Sequence, residues 1–288
     1  MIRFTPLTGV IGADVHGIDL SQPLSDEAVG EILGGLGEYS VLFFREQPVL
    51  SRPQHLALGA RFGDIEPAPF HPQDESSLAL LLDQTDPRGS QAANFHSDNT
   101  FRPRPPMGAL LQAHVLPSRG GDTCFASLYA AYEALSDRMQ AYLEGLDAYH
   151  SLAPMAARLA TQGVKLGLRL EDWPPVRHPV IAVHPRTGRK HLNVNRNWTT
   201  HIADLPDQES ASVLRFLLEH VKNPDFQVRL RWNVGDVAFW DNWAAQHHAV
   251  ADYRERRVMQ RVSILAREGP AIQGAVRPAR EAALSEGR

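Results

Sequence analysis

The sequence is short of cysteine, of long apolar runs and of excess charge, and each shortage removes a class of protein. One cysteine, Cys124, among 288 residues cannot close an internal disulfide, so a disulfide-built scaffold and a multi-thiolate metal site are both excluded. No apolar stretch reaches the roughly 18 residues that cross a bilayer. The opening Met1-Ile2-Arg3-Phe4-Thr5-Pro6 lacks the basic start and apolar core of a signal peptide, and a cytoplasmic protein without a membrane partner is expected. Lys and Arg number 29 against 33 Asp and Glu, so no global pull towards nucleic acid is expected and any anionic ligand must be caught locally. Repeats and low-complexity linkers are lacking too, and no glycine-rich loop follows a strand-like run, which argues against nucleotide-binding βαβ folds.

Histidine, by contrast, is plentiful, with thirteen residues. Beside a single cysteine, this favours imidazole and carboxylate as the ligands of any metal site. The composition shifts clearly only near the end, which predicts one domain over residues 1–270 and a mobile Ala, Arg and Glu-rich tail over 271–288.

Short strand-like runs dominate: 41–44, 78–82, 109–111, 180–183, 192–194, 226–230, 237–240 and 258–265. Turn signals such as Arg186-Thr187-Gly188 and Gly120-Gly121-Asp122 separate them. Apolar spacing predicts helices over 26–39 after a Ser25 cap, over 53–62 and over 207–221, with two short helices meeting near Ser136. The fold class expected is mainly β with α decoration: a sheet sandwich or jelly roll with helices outside it. Residues 153–175 read as a mobile insertion that could act as a lid. The loop Arg102-Pro103-Arg104-Pro105-Pro106 reads as solvated and proline-stiffened.

The chemistry concentrates in His96-Ser97-Asp98. On an extended backbone, residues two apart point the same way, so imidazole and carboxylate can meet one ion. Alone, the pair is weak evidence, because a turn or cap role explains it equally well. Trp240-Asp241-Asn242 leading to His247-His248 offers a third ligand, and Arg257 and Arg261 follow on a predicted strand. Two His and one carboxylate leave room on iron for a chelating cosubstrate and dioxygen. A guanidinium one strand away would grip a carboxylate in bidentate fashion. The other histidines, among them His16, His114, His178, His184, His191 and His220, are expected at the surface or in satisfied hydrogen bonds.

In these motifs, together with Phe62-Gly63 and Gly120-Gly121-Asp122-Thr123, the chain resembles the taurine dioxygenase and 2,4-dichlorophenoxyacetate dioxygenase family of Fe(II)/2-oxoglutarate oxygenases. The resemblance implies a double-stranded β-helix, cupin-like core and a homo-dimer or homo-tetramer. By position it implies His96, Asp98 and His247 as iron ligands, Thr123 and Arg257 as holders of 2-oxoglutarate, and Trp240 and Asn242 as supports around them. Arg261, Phe70, His71 and Trp198 become candidate substrate contacts, with Arg261 at the position that meets either the substrate's anion or the inner carboxylate region of the cosubstrate. His248, one place beyond the ligand position, reads as packing or support.

The implied reaction hydroxylates a small organic anion, an alkyl sulfonate, alkyl sulfate or aryloxyalkanoate, while 2-oxoglutarate and O2 yield succinate and CO2. Asp98 stands where related halogenases lose the carboxylate, so hydroxylation is expected. Phe95 replaces a Trp usual in close relatives, and Ala68 stands where taurine enzymes place a polar donor, which argues against taurine itself. A non-catalytic jelly-roll module that binds metal and organic acid is the alternative, with a zinc hydrolase as a third reading.

Overall fold

Alternation along one short strand organises the core. In Val41–Phe44 all four side chains are buried. Val41 and Phe43 cluster with Phe125, Val228 and Leu230, whereas Leu42 and Phe44 cluster with Ile32, Leu36 and Leu110. Successive strand residues face opposite ways, so a strand can be apolar throughout only when both of its faces are covered. The computed structural model, which describes residues 1–69, 75–87, 91–161 and 169–267, covers one face with a second sheet and the other with helices.

The main sheet runs Arg3–Pro6, Ala13–His16, Val41–Phe44, Val237–Asp241, Gly108–Val115, Arg257–Leu265, Asp64–Glu66, and Leu80–Gln84 also pairs with Arg257–Leu265. The facing sheet runs Gln227–Leu230, Thr123–Ser127, Ala245–Ala249. A further sheet joins Thr199–Ile202, Asp147–His150 and Val176–Pro179, beside the hairpin Ile181–Val183 and Lys190–Leu192. Facing sheets paired mostly antiparallel, with Ala13–His16 parallel to Val41–Phe44 and helices outside, form the jelly roll that the sequence pattern predicts. No described helix is long and apolar enough to cross a membrane.

Helix signals translate directly. The Ser25 side chain accepts from the Ala28 amide and starts Asp26–Tyr39, as the capping rule requires. Arg52–Phe62 and Asp207–His220 pack outside the sheets, and Leu128–Glu133 and Asp137–Leu143 meet at the Ser136 cap. Strand limits move more. The second predicted strand is Leu80–Gln84, the fifth is Lys190–Leu192, and Phe226 falls in the 3-10 turn Pro224–Phe226, whose proline supplies no amide donor. Of the predicted insertion, Ala153–Thr161 is helical and Trp173 and Met155 pack against Phe101 and Trp198. Residues 162–168 and the tail 271–288 lie outside the described residues.

His178, His184 and His191 are fully buried, as are His55 and His150, which corrects the surface half of the expectation for the first three. His184 and His178 are hydrogen-bonded, but Nε2 of His55 and of His191 has no partner. Burial holds both imidazoles at about 4, because a charged ring without a counter-ion is disfavoured there. Below about pH 6.5 the unfolded chain binds protons that the native chain refuses, so stability falls as pH drops from about 6.5 to about 4, by on the order of 3 kcal/mol per group. His55→Asn should therefore lessen the fall in Tm between about pH 6.5 and 4.5. An unchanged slope would locate the acid sensitivity in other groups.

Candidate active site

His96 and His247 pair as an isolated antiparallel bridge, each amide donating to the other's carbonyl at 3.1 and 2.9 Å. This bridge brings together two stretches 151 residues apart, and Asp98 joins them two residues along. The ligand-type atoms of His96, Asp98 and His247 all lie within 4.8 Å of one another, with Nε2 of His96 at 3.7 Å and Nε2 of His247 at 3.9 Å from the Asp98 carboxylate. All three residues are buried. The Nδ1–H of His96 donates to the Asn94 carbonyl at 2.7 Å, a bond that selects the tautomer with Nε2 as a free donor of its lone pair.

Electrostatics put the three groups in their metal-binding protonation states. Burial, reinforced by its neighbour His96, depresses His247 to about 3, and burial likewise lowers His96. Burial opposes ionisation of Asp98, but Arg261 and the two imidazoles outweigh it and hold the carboxyl at about 2. Two neutral imidazoles and one carboxylate therefore coexist at neutral pH, the set a divalent ion requires. Oδ2 of Asp98 is buried without a hydrogen-bond partner, while Oδ1 accepts from Arg261 Nη1 at 3.1 Å. An orphaned carboxylate oxygen between two imidazoles fits a bound cation.

Four elements hold the loop that carries His96 and Asp98. Asn242 accepts from the Asp98 amide at 2.6 Å and donates to the Asp98 and Pro106 carbonyls at 3.0 Å each. Trp198 donates its indole N–H to the Ser97 carbonyl at 2.9 Å. Asn99, at a left-handed φ of 50°, donates to Glu66 at 3.0 Å. Thr100 shares its hydroxyl with His150 at 2.8 Å and accepts from Asn195 at 2.9 Å. The turn bearing Asn242 is braced in its turn, since the Asp241 carboxylate accepts from His184, Arg186 and the Trp243 amide.

A second, donor-rich group shares the Arg257–Leu265 strand with Arg261. Arg257 and Arg261 lie on one strand in unbroken register with Leu80–Gln84, so both guanidiniums leave the same face. Arg257 is 5% exposed. Its Nε donates to the Gly121 carbonyl at 3.0 Å, its guanidinium lies 5.9 Å from the Tyr253 ring centre, and Nη2 is buried without a partner. Gly121 is required, because at φ +73° an added Cβ would meet Arg257 Cδ at 3.0 Å. Thr123, two residues after Gly121, opens the strand Thr123–Ser127 of the facing sheet and is buried. Buried N–H groups without acceptors suit a carboxylate.

Other sequence candidates find varied places. Trp240 packs its ring 4.6 Å from His247. Trp198 is 3% exposed against Phe101, and its visible work is the bond to Ser97. His248 packs edge-on to Phe95 at 4.4 Å. Arg102 is not a solvated loop cation: it ion-pairs with buried Glu66 at 2.8 Å and lies 4.9 Å over Trp173. Phe70 and His71 lie outside the described residues. Glu66, His150 and Asn195 were not singled out from sequence, because polar residues that become buried far from the motif carry no local signal.

Known proteins similar to this chain are found over nearly its whole length. The model of the family described as taurine catabolism dioxygenase TauD, TfdA matches residues 3–263. The α-ketoglutarate-dependent 2,4-dichlorophenoxyacetate dioxygenase of Cupriavidus pinatubonensis is 35% identical over 90% of this chain and 96% of its own. An alkylsulfatase of Acinetobacter baylyi is 32% identical over 91% of this chain and 84% of its own. Among solved structures, a taurine dioxygenase from Burkholderia xenovorans superposes with a TM-score of 0.79 at 31% identity, covering 96% of this chain and 97% of that one.

Proposed function

The chain belongs to the taurine catabolism dioxygenase TauD, TfdA family, and we propose that it oxidises a small organic anion held by Arg261, with His96, Asp98 and His247 carrying Fe(II) and Thr123 and Arg257 holding 2-oxoglutarate. The observation that carries this reading is the buried Asp98 carboxylate, one oxygen orphaned between two neutral imidazoles and the other facing Arg261. When bound, Fe(II) supplies the redox chemistry that couples decarboxylation of 2-oxoglutarate by O2, to succinate and CO2, with oxidation of a substrate C–H bond. The protein supplies position. Asn242 and Trp198 fix the backbone on either side of Asp98, Arg257 and Thr123 receive the distal carboxylate, and Arg261 offers the guanidinium nitrogens that Asp98 does not use.

The substrate class follows from the charges. Arg102 is paired with Glu66, whereas Arg261 meets Asp98, a carboxylate shared with the ligand cluster, through Nη1, and Ala68 is buried and apolar. These features support a substrate with one anionic group and an apolar body: an alkyl sulfate, an alkyl sulfonate or an aryloxyalkanoate, classes that appear in the names of similar proteins. A non-catalytic module finds no support, because relatives matching nearly the whole chain are named as enzymes. The family resemblance implies a homo-dimer or homo-tetramer, and the single cysteine suits a reducing cytoplasm.

Succinate formed per 2-oxoglutarate consumed, measured across those three substrate classes, tests the reading. A coupled substrate should approach one-to-one stoichiometry, and absence of any Fe(II)-dependent decarboxylation would overturn the assignment. Arg261→Gln should raise KM for that substrate about 10²-fold, the scale for unpairing a desolvated charge, while decarboxylation without substrate keeps its 2-oxoglutarate dependence. Equal KM values in the two proteins would remove Arg261 from the substrate site.

A further inference from the structure

We propose that Trp232 is a positioning residue for the cosubstrate: it locks the Thr123 hydroxyl as a hydrogen-bond donor and so makes the pocket select a distal carboxylate. The inference rests on the reading above, in which Thr123 and Arg257 receive that carboxylate.

Trp232 follows the strand Gln227–Leu230, whose Leu230 pairs with Thr123, and it is 6% exposed. Its indole Nε1–H donates to Thr123 Oγ1 at 3.0 Å. An indole N–H can only donate, whereas a hydroxyl can donate once and accept twice. The bond therefore occupies one lone pair of Oγ1 and turns the hydroxyl proton away from Trp232, towards another acceptor. The Thr123 side chain makes no other hydrogen bond among the described residues, and a buried hydroxyl proton is costly to leave unpaired.

The neighbouring group has the same polarity. Arg257 spends Nε on the Gly121 carbonyl, two residues before Thr123, and keeps Nη2 buried without an acceptor. Two buried groups thus hold protons for the same ligand end: Arg257 has no lone pair to offer, and Thr123 has one lone pair taken by Trp232 and its proton without an acceptor among the described residues. A carboxylate, which only accepts, satisfies both; a carboxamide would turn an N–H₂ against one of them. Without Trp232 the hydroxyl could rotate to accept, and that discrimination would weaken.

Anaerobic equilibrium binding to the full Fe(II)-loaded chain tests this, with 2-oxoglutarate and its distal amide, 2-oxoglutaramate, as probes. Trp232→Phe should weaken 2-oxoglutarate roughly three- to tenfold, the scale of one net hydrogen bond, and narrow its preference over the amide. In a Thr123→Val background the same substitution should cost nothing further, because its effect runs through the hydroxyl. Losses that multiply in the double variant, or unchanged affinity and preference in Trp232→Phe, would overturn the inference. Should Trp232→Phe fail to fold, replacing Trp232 with benzothienylalanine, which keeps the ring shape and lacks the N–H, decides by the same criteria. If the unaltered loaded chain bound no 2-oxoglutarate, the functional reading would fall, and the inference with it; binding by the unaltered chain confines any failure to Trp232.

Discussion

Asp98→Ala is expected to abolish Fe(II)-dependent 2-oxoglutarate decarboxylation, with Fe(II) affinity reduced on the order of 10³-fold. Among the described residues Asp98 is the only carboxylate in the cluster of potential ligands, and it also contacts Arg261 at 3.1 Å. Its removal leaves two neutral imidazoles facing a guanidinium, so an incoming divalent cation meets repulsion where it met a counter-charge. Breaking a buried pair by deleting one partner costs about 3–5 kcal/mol, and 4 kcal/mol is roughly a thousandfold in affinity. The loop itself should survive, because Asn242 grips the backbone of residue 98 and not its side chain. The decisive measurement is the rise in Tm on adding Fe(II) under nitrogen, which reports ligand binding to the native state. The rise should vanish in Asp98→Ala while the unloaded variant still melts cooperatively. A retained Fe(II)-induced rise together with retained turnover would remove Asp98 from the metal site.

Arg257→Ala should raise the 2-oxoglutarate concentration for half-saturation about 10²-fold, since truncating one side of a desolvated, charge-assisted contact costs about 2–5 kcal/mol. A lost fold would give the same number, so the informative quantity is selectivity. 2-Oxopentanoate has the same chain length and no distal carboxylate. The unaltered chain should reject it strongly against 2-oxoglutarate, and Arg257→Ala should erase most of that preference by losing only the dicarboxylate. Competition between the two acids, read as succinate against butyrate, measures the ratio directly. A ratio unmoved by the substitution would place the distal carboxylate elsewhere. Because Gly121 both accepts from Arg257 Nε and lacks the Cβ that would displace its side chain, the orientation of Arg257 belongs to the turn as much as to its own strand.

Much of the fold was legible in the sequence where local physics decides it. The Ser25 cap and the spacing of Ile32 and Leu36 set the Asp26–Tyr39 helix to the residue, and the wholly apolar Val41–Phe44 announced a strand, whose coverage on both faces only the structure showed. Strand ends such as Leu80–Gln84 were less legible, since they depend on which neighbour is available to pair. The site was legible as a resemblance, because His96, Asp98, Thr123, His247, Arg257 and Arg261 stand in a family order. Residue types and spacing alone left His96 and Asp98 open to a bland turn role.

By itself, then, the sequence determined a mainly β sandwich or jelly roll, imidazole and carboxylate as the ligands expected of any metal site, and the expectation that an acidic chain must catch anions locally. Tertiary structure decided the state and service of each group. It placed Arg261 against Asp98, sent Arg102 to Glu66, turned Trp198 onto the Ser97 carbonyl and Trp232 onto the Thr123 hydroxyl, and buried histidines that look superficial in one dimension. The reason is the range of the interactions. Capping and alternation act over a few residues and are written in the chain, whereas a hydrogen bond between residues 109 positions apart exists only once packing has excluded water and left each donor one acceptor within reach.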